Sequence, residues 1–130
     1  QSDLVVRGHA IECRINAEDP FRGFRPNPGR LKRWAPPTGA NLRLDTHCYE
    51  GYLIPPYYDS MIAKLIASGA DRNQAIATLL KALGSFGIEG VNTTIPLHQA
   101  VLSSDDFARG SVTTRWLENS FLPSWLPVTA

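Results

Sequence analysis

The sequence predicts an α+β fold, with an antiparallel β-sheet in the first half and helices from the second half packed on it. Three observations lead there. Alternating segments and turn residues dominate the chain up to about residue 70. Beyond that point apolar residues recur with helical spacing. No glycine-rich phosphate loop follows a strand and no run of βα units exists, so a nucleotide site built within this chain alone is not expected. The length of 130 residues suits one domain around one core, residues 1–130, with 121–130 as a tail.

Residues 8–16 alternate. Ile11, Cys13 and Ile15 fall on one face of the strand, and Glu12, Arg14 and Asn16 on the other. A loop dense in breakers follows, with Pro20, Gly23, Pro26, Pro28 and Gly29. Residues 31–34 read as a short strand. Residues 41–45 alternate again, Leu42 and Leu44 inward, Arg43 and Asp45 outward. Residues 52–54 form a short strand stopped by Pro55 and Pro56. The nearly continuous apolar run 61–67 reads as a strand buried on both faces, ended by Gly69.

Helical signals then take over. Asp71 and Gln74 have the spacing of a capping box, and Ile76, Leu79, Leu80 and Leu83 give the apolar stripe behind it. Residues 88–91 suggest a short strand. Thr93 or Thr94 caps a second helix with Pro96 in its first turn and Leu97, Val101 and Leu102 turned inward. A last short helix is expected over 113–119, before a tail from 123.

Composition narrows the function classes. Hydrophobic residues make up 43% and charged residues 19%, the balance of a globular protein slightly poor in charge, which hints at surface meant for another domain. The net charge is +1, and the basic residues Arg22, Arg25, Arg30, Lys32 and Arg33 are broken up by Pro26, Pro28 and Gly29, so nucleic-acid binding is not indicated. No apolar run approaches the ~20 residues of a membrane span, and no leader pattern opens the chain. It begins at Gln1, as a fragment or processed chain would. Two cysteines, Cys13 and Cys48, make no disulfide framework, and a reducing cytoplasm is the expected compartment.

Two constellations carry chemistry. On the face Glu12, Arg14 and Asn16, pattern alone favours a solvated sheet surface. The alternative is that Arg14 points into a cleft, where its planar, permanently charged fork suits a carboxylate, a phosphate or an oxygen that becomes negative during reaction, with Glu12 orienting it. The second is Pro55-Pro56-Tyr57-Tyr58-Asp59-Ser60-Met61. Asp59 is either a turn residue accepting local backbone bonds or the partner of a cation on another strand, for which Arg14 is the candidate. Lys64 is read as structural. His9, His47, His98, Cys13 and Cys48 lack metal-ligand spacing, so no metal site is expected, and nothing marks a Cys–His nucleophilic pair.

The stretch Gly8-His9-Ala10-Ile11-Glu12-Cys13-Arg14-Ile15-Asn16-Ala17-Glu18-Asp19-Pro20 resembles the opening of the C-terminal domain of biotin-dependent carboxylases. So do Phe24-Arg25-Pro26-Asn27-Pro28-Gly29, the stretch from Pro55 to Ile66, Gly90-Val91-Asn92-Thr93, and Thr113-Thr114-Arg115-Trp116-Leu117-Glu118, all in the family's order over about residues 7–120. Several long motifs in sequence are far more specific than a lone short pattern.

The resemblance implies the biotin carboxylase part of a parent enzyme such as acetyl-CoA carboxylase, a cytoplasmic ligase of fatty acid biosynthesis. Such an enzyme uses ATP and bicarbonate to make carboxyphosphate, then carboxylates biotin held on a biotin carboxyl carrier protein. It implies that Arg14 stabilises the biotin ureido oxygen as that oxygen gains negative charge. Asp59 is its orienting partner. Arg43 matches a position near the family's subunit interface, implying a homodimer through the parent, although the nearby position that is often a bulky aromatic in bacterial members is Ala40 here. ATP and Mg are then bound outside this chain, by the ATP-grasp portion of the same parent. The single methionine, Met61, does not flank a biotinyl lysine, so the chain is not the carrier. The competing expectation is a non-catalytic module of the same fold that serves packing and dimerisation.

Overall fold

The computed structural model describes residues 7–56 and 59–126. In chain order the strands of the first part are β1 (His9–Asn16), β2 (Glu18–Asp19), β3 (Arg25–Pro26), β4 (Gly29–Arg30), β5 (Arg33–Ala35), β6 (Leu42–Thr46), β7 (Leu53–Ile54) and β8 (Met61–Gly69). Helix α1 (Arg72–Ser85), strand β9 (Gly87–Glu89), and helices α2 (Ile95–Leu102) and α3 (Asp105–Ala108) follow. A π-helical turn at Leu117–Phe121 leads into α4 (Leu122–Trp125). All the strand pairings are antiparallel, and every strand but β9 precedes α1, so the α+β reading holds.

The centre is a three-stranded sheet in the order β1-β8-β6. Its register puts Cys13 and Leu44 beside Leu65, and Ile15 and Thr46 beside Ala63. Because side chains alternate, Cys13, Ile15, Ala63, Leu65 and Ala67 share one face and are buried with the α1 residues Ile76, Leu79, Ala82 and Leu83. The opposite face carries two cross-strand rows, Glu12–Ile66–Arg43 and Arg14–Lys64–Asp45. The β8 run is buried on both faces only at its start, at Ile62 and Ala63. Lys64 and Ile66 are only half-buried, since α1 covers one side and polar neighbours occupy the other.

Helix α1 begins as expected. The Asp71 carboxylate accepts the Gln74 N–H at 2.9 Å, while the Gln74 side-chain carbonyl reaches back one residue further than in a standard capping box, to the Ala70 N–H at 2.9 Å. Phe86, just past its end, meets Trp34 of β5 edge to face at 5.1 Å. The strand expected over 31–34 starts two residues later, at Arg33: Leu31 is fully buried between β4 and β5 and gives its N–H to the Tyr52 carbonyl at 2.9 Å. The last helix also runs later than expected, from Leu117 to Trp125 instead of 113–119. Pro123 sits in the first turn of α4, where its missing N–H costs nothing, so it does not end the helix. Trp125 then packs on Phe21, ring centres 5.1 Å apart, tying part of the expected tail to the loop after β2. Residues 127–130 of that tail lie outside the described residues.

Candidate functional site

The site forms where β1, β8 and α2 meet. Arg14 is exposed on the outer face of β1, directly opposite Lys64. Two cations side by side on a sheet face repel, which makes this a poor purely structural pairing and a favourable place for negative charge. Asp45 stands on the far side of Lys64, but its carboxylate bonds the Arg43 guanidinium at 3.1 Å. Among the described residues the other ion pairs are Asp19–Arg22 at 3.6 Å and Asp106–Arg109 at 2.8 Å. Arg14 is in none of them.

What holds Arg14 is sulfur. Its Nε donates to Met61 Sδ at 3.4 Å. Asp59 joins the same residue from the other side, its carboxylate accepting the Met61 N–H at 3.0 Å. The two residues singled out from the sequence thus converge on Met61, and the direct Arg14–Asp59 ion pair considered there is replaced by a local turn at Asp59. Met61 and Asp59 also line a cleft of about 420 Å³ together with His47, Tyr52 and Pro55. Tyr57 and Tyr58 lie outside the described residues. Glu12 is exposed in the neighbouring row, where Ile66 separates it from Arg43. A bulge between Ile15 and Asn16 breaks the alternation: Asn16 pairs with Met61, and its side-chain amide donates to Glu18 Oε1 at 3.2 Å, with Ser60 Oγ donating to the other Glu18 oxygen at 2.7 Å.

Thr94 and His98, which the sequence offered only as a helix cap and as a histidine without metal-ligand spacing, fasten this end of β1 with three bonds. The buried Thr94 hydroxyl accepts the Asn16 N–H at 3.0 Å, and the Thr94 N–H returns a bond to the Asn16 carbonyl at 3.0 Å. One turn along α2, His98 Nε2 lies 2.9 Å from the Arg14 carbonyl. Thr94 occupies the N-cap position without capping; the neighbouring Thr93 hydroxyl takes the Ile95 N–H at 3.3 Å. The available signal was the i, i+4 spacing of Thr94 and His98, which stacks them on one helix face. Burial lowers the His98 pKa, opposed in part by its bond to the Arg14 carbonyl, so the ring is neutral at pH 7 and Nε2 carries the proton it donates.

The remaining candidates stay apart. Burial, helped by the charge of Glu12, pushes the Cys13 thiol up to about 12, and burial raises Cys48 as well, against a hydrogen bond from Thr46. Neither has thiolate character. Among the described residues no three His, Cys, Asp or Glu side chains gather where a metal ion could be held.

A family model for the biotin carboxylase C-terminal domain matches residues 12–119. The chain belongs to this family. Among curated relatives of the domain, biotin carboxylase 1 of Bacillus subtilis (strain 168) is 51% identical over 118 residues, 91% of this chain and 26% of the relative. The biotin carboxylase of Nostoc sp. is 50% identical, over 91% of this chain and 26% of its own length, and a pyruvate carboxylase component of Methanothermobacter thermautotrophicus is 48% identical, over 91% of this chain and 24% of its own length. The fold superimposes on the biotin carboxylase domain of the Hydrogenobacter thermophilus 2-oxoglutarate carboxylase, a dimer in complex with MgADP, ADP and bicarbonate, with a TM-score of 0.87 and 45% identity over 91% of this chain and 26% of that one. The chain thus spans about a quarter of the length of the proteins it matches.

Proposed function

We propose that this domain completes the biotin site of a biotin carboxylase, an ATP-dependent ligase that carboxylates carrier-bound biotin with bicarbonate. The observation that carries the reading is the setting of Arg14. Its guanidinium is exposed, lies beside Lys64, has no carboxylate partner among the described residues, and is steadied through Nε alone. The two Nη groups remain to meet an acceptor. Biotin supplies a ureido oxygen that becomes anionic when the adjacent nitrogen loses its proton. A guanidinium already held in place favours that charged form over the neutral one, and so lowers the barrier. In this reading Arg14 is the catalytic residue. Asp59 is a positioning residue that acts through Met61, and Glu12, on the same face one row along, is a supporting residue.

ATP and Mg do not fit here. No acidic or histidine cluster for the metal and no glycine-rich phosphate loop occurs among the described residues, which supports a nucleotide site in the ATP-grasp portion of the parent chain. The chain alone then neither hydrolyses ATP nor carboxylates biotin. Related proteins include biotin carboxylases and a pyruvate carboxylase component, consistent with a parent in acetyl-CoA carboxylase and fatty acid synthesis or in a sister carboxylase. A cytoplasmic enzyme that meets a biotin carboxyl carrier protein, and a homodimer with Arg43 near its interface, complete the proposal.

The test is Arg14→Ala in the full-length enzyme. Biotin carboxylation should fall about 10²–10³-fold while bicarbonate-dependent ATP cleavage without biotin persists. Unchanged carboxylation would instead identify a packing or dimerisation module, and turnover by this domain alone would place the whole site within it.

A further inference from the structure

We propose that α2 acts as a clasp on the free edge of β1, and that His98 is the positioning residue that fixes Arg14 through its main-chain carbonyl. The inference rests on the assignment of Arg14 to the biotin site. Among the described residues β1 is an outer strand of its sheet, paired only with β8. An edge strand leaves alternate N–H and C=O groups without strand partners, and in a functional strand these must be satisfied or the strand frays. At the Arg14–Asn16 end of β1, three of them are satisfied by the start of α2. Thr94 takes both main-chain groups of Asn16, and His98 takes the carbonyl of Arg14.

The placement matters for what lies across the strand. The Ile15–Asn16 bulge loosens the ladder one residue beyond Arg14, so pairing with β8 alone holds this segment weakly. On the side-chain side, Arg14 is steadied by a single soft contact to Met61. The two bonds to Asn16 and the one to Arg14 restrain the backbone from which the guanidinium projects. A shift there of about 1 Å is enough to misalign a charge-stabilising group with its target. An imidazole also suits the position because burial keeps it neutral: it supplies a donor without adding a third positive charge beside Arg14 and Lys64.

The experiment uses the full-length biotin carboxylase that carries this domain, with free biotin as substrate. His98→Leu should reduce kcat/KM for biotin about tenfold while bicarbonate-dependent ATP cleavage in the absence of biotin is retained. His98→Gln, whose amide nitrogen reaches about as far as Nε2, should return kcat/KM to within about threefold of the parent. His98→Asn, one bond shorter, should not. If His98→Leu does not fold, the Gln–Asn pair decides the matter: equal losses in both, or a loss in neither, would overturn the clasp. Arg14→Ala in the same assay separates the two claims. If it abolishes carboxylation while His98→Leu is silent, the clasp fails and the biotin-site assignment stands. If Arg14→Ala is itself silent, both fall.

Discussion

Arg14 and Asp59 share no ion pair or hydrogen bond; each bonds the same methionine. Arg14 Nε donates to Met61 Sδ at 3.4 Å, and the Asp59 carboxylate holds the Met61 N–H at 3.0 Å. Met61→Leu keeps the volume and removes the sulfur acceptor. In the full-length enzyme it should lower kcat/KM for biotin by about threefold to tenfold and leave the thermal midpoint nearly unchanged. Because Asp59 acts through the same residue, Met61→Leu combined with Asp59→Ala should cost less than the product of the two single effects. Steady-state kinetics on the three variants checks this; strictly multiplicative losses would show that the two residues act independently.

The Thr94 hydroxyl is where the helix and the strand edge are joined in the interior. Thr94→Val keeps the shape and leaves the Asn16 N–H without its acceptor, at a cost of about 1–3 kcal/mol. Thr93→Ala removes only a 3.3 Å bond to Ile95 at the helix start and should cost about 0.5–1 kcal/mol. Urea unfolding of the two variants should rank them in that order. The reverse ranking would mean that the helix start matters more than the join.

The parts of the fold set by local periodicity were legible in the sequence. Ile11, Cys13 and Ile15 do face the core, and the Asp71 cap and the stripe from Ile76 to Leu83 do make a helix. What failed depended on partners distant in the chain. The outer side of β8 is only half-buried at Lys64 because Arg14 and Asp45 flank it, and that register is set by β1 and β6 rather than by β8 itself. For the site, Arg14 and Asp59 stood out through the family resemblance. The role of Met61 between them, and of His98 84 positions beyond Arg14, needed the fold to bring them together.

The cysteines should be inert in the folded chain. Cys13 is 3% exposed and Cys48 8%, and the Cys13 thiol is pushed up to about 12. Only the thiolate reacts, so at pH 8 alkylation of Cys13 by iodoacetamide is limited by unfolding. Mass spectrometry after timed labelling should find Cys48 modified slowly, Cys13 more slowly still, and both rapidly in urea. Fast labelling of Cys13 in the native chain would contradict its place under α1.

Gly90 is irreplaceable for two separate reasons. Its φ of +110° is one that side-chain-bearing residues rarely adopt, and an added Cβ would collide with the Arg30 carbonyl oxygen. That collision lies where β9 passes the link between β4 and β5, beside the bond from the Lys32 N–H to the Glu89 carbonyl at 2.8 Å. Gly90→Ala should therefore cost at least about 1–3 kcal/mol, since backbone must move. Gly84, whose Cβ position is open, is the control: Gly84→Ala, near the end of α1, should be neutral or stabilising by up to about 1 kcal/mol. Paired urea titrations check the contrast, and equal effects at the two sites would refute it.

His98 makes the stability of the domain pH-dependent, with a definite sign. Burial lowers its pKa in the folded chain, while in the unfolded chain it returns to the ordinary 6.5. Above that value both states are neutral and His98 contributes no slope. As pH falls below it, the unfolded chain binds a proton that the folded chain does not, so stability decreases until the folded pKa is reached as well. His98→Gln retains an amide donor for the Arg14 carbonyl and has no proton to take up. The variant should therefore lose less stability than the parent as pH falls from about 7 to 5.5, with the two curves running parallel above about pH 7.5. Urea unfolding at half-unit pH intervals measures this directly. A steeper acid slope in His98→Gln than in the parent would mean that the imidazole is charged in the folded state, and that the neutral donor assigned to the Arg14 carbonyl is wrong.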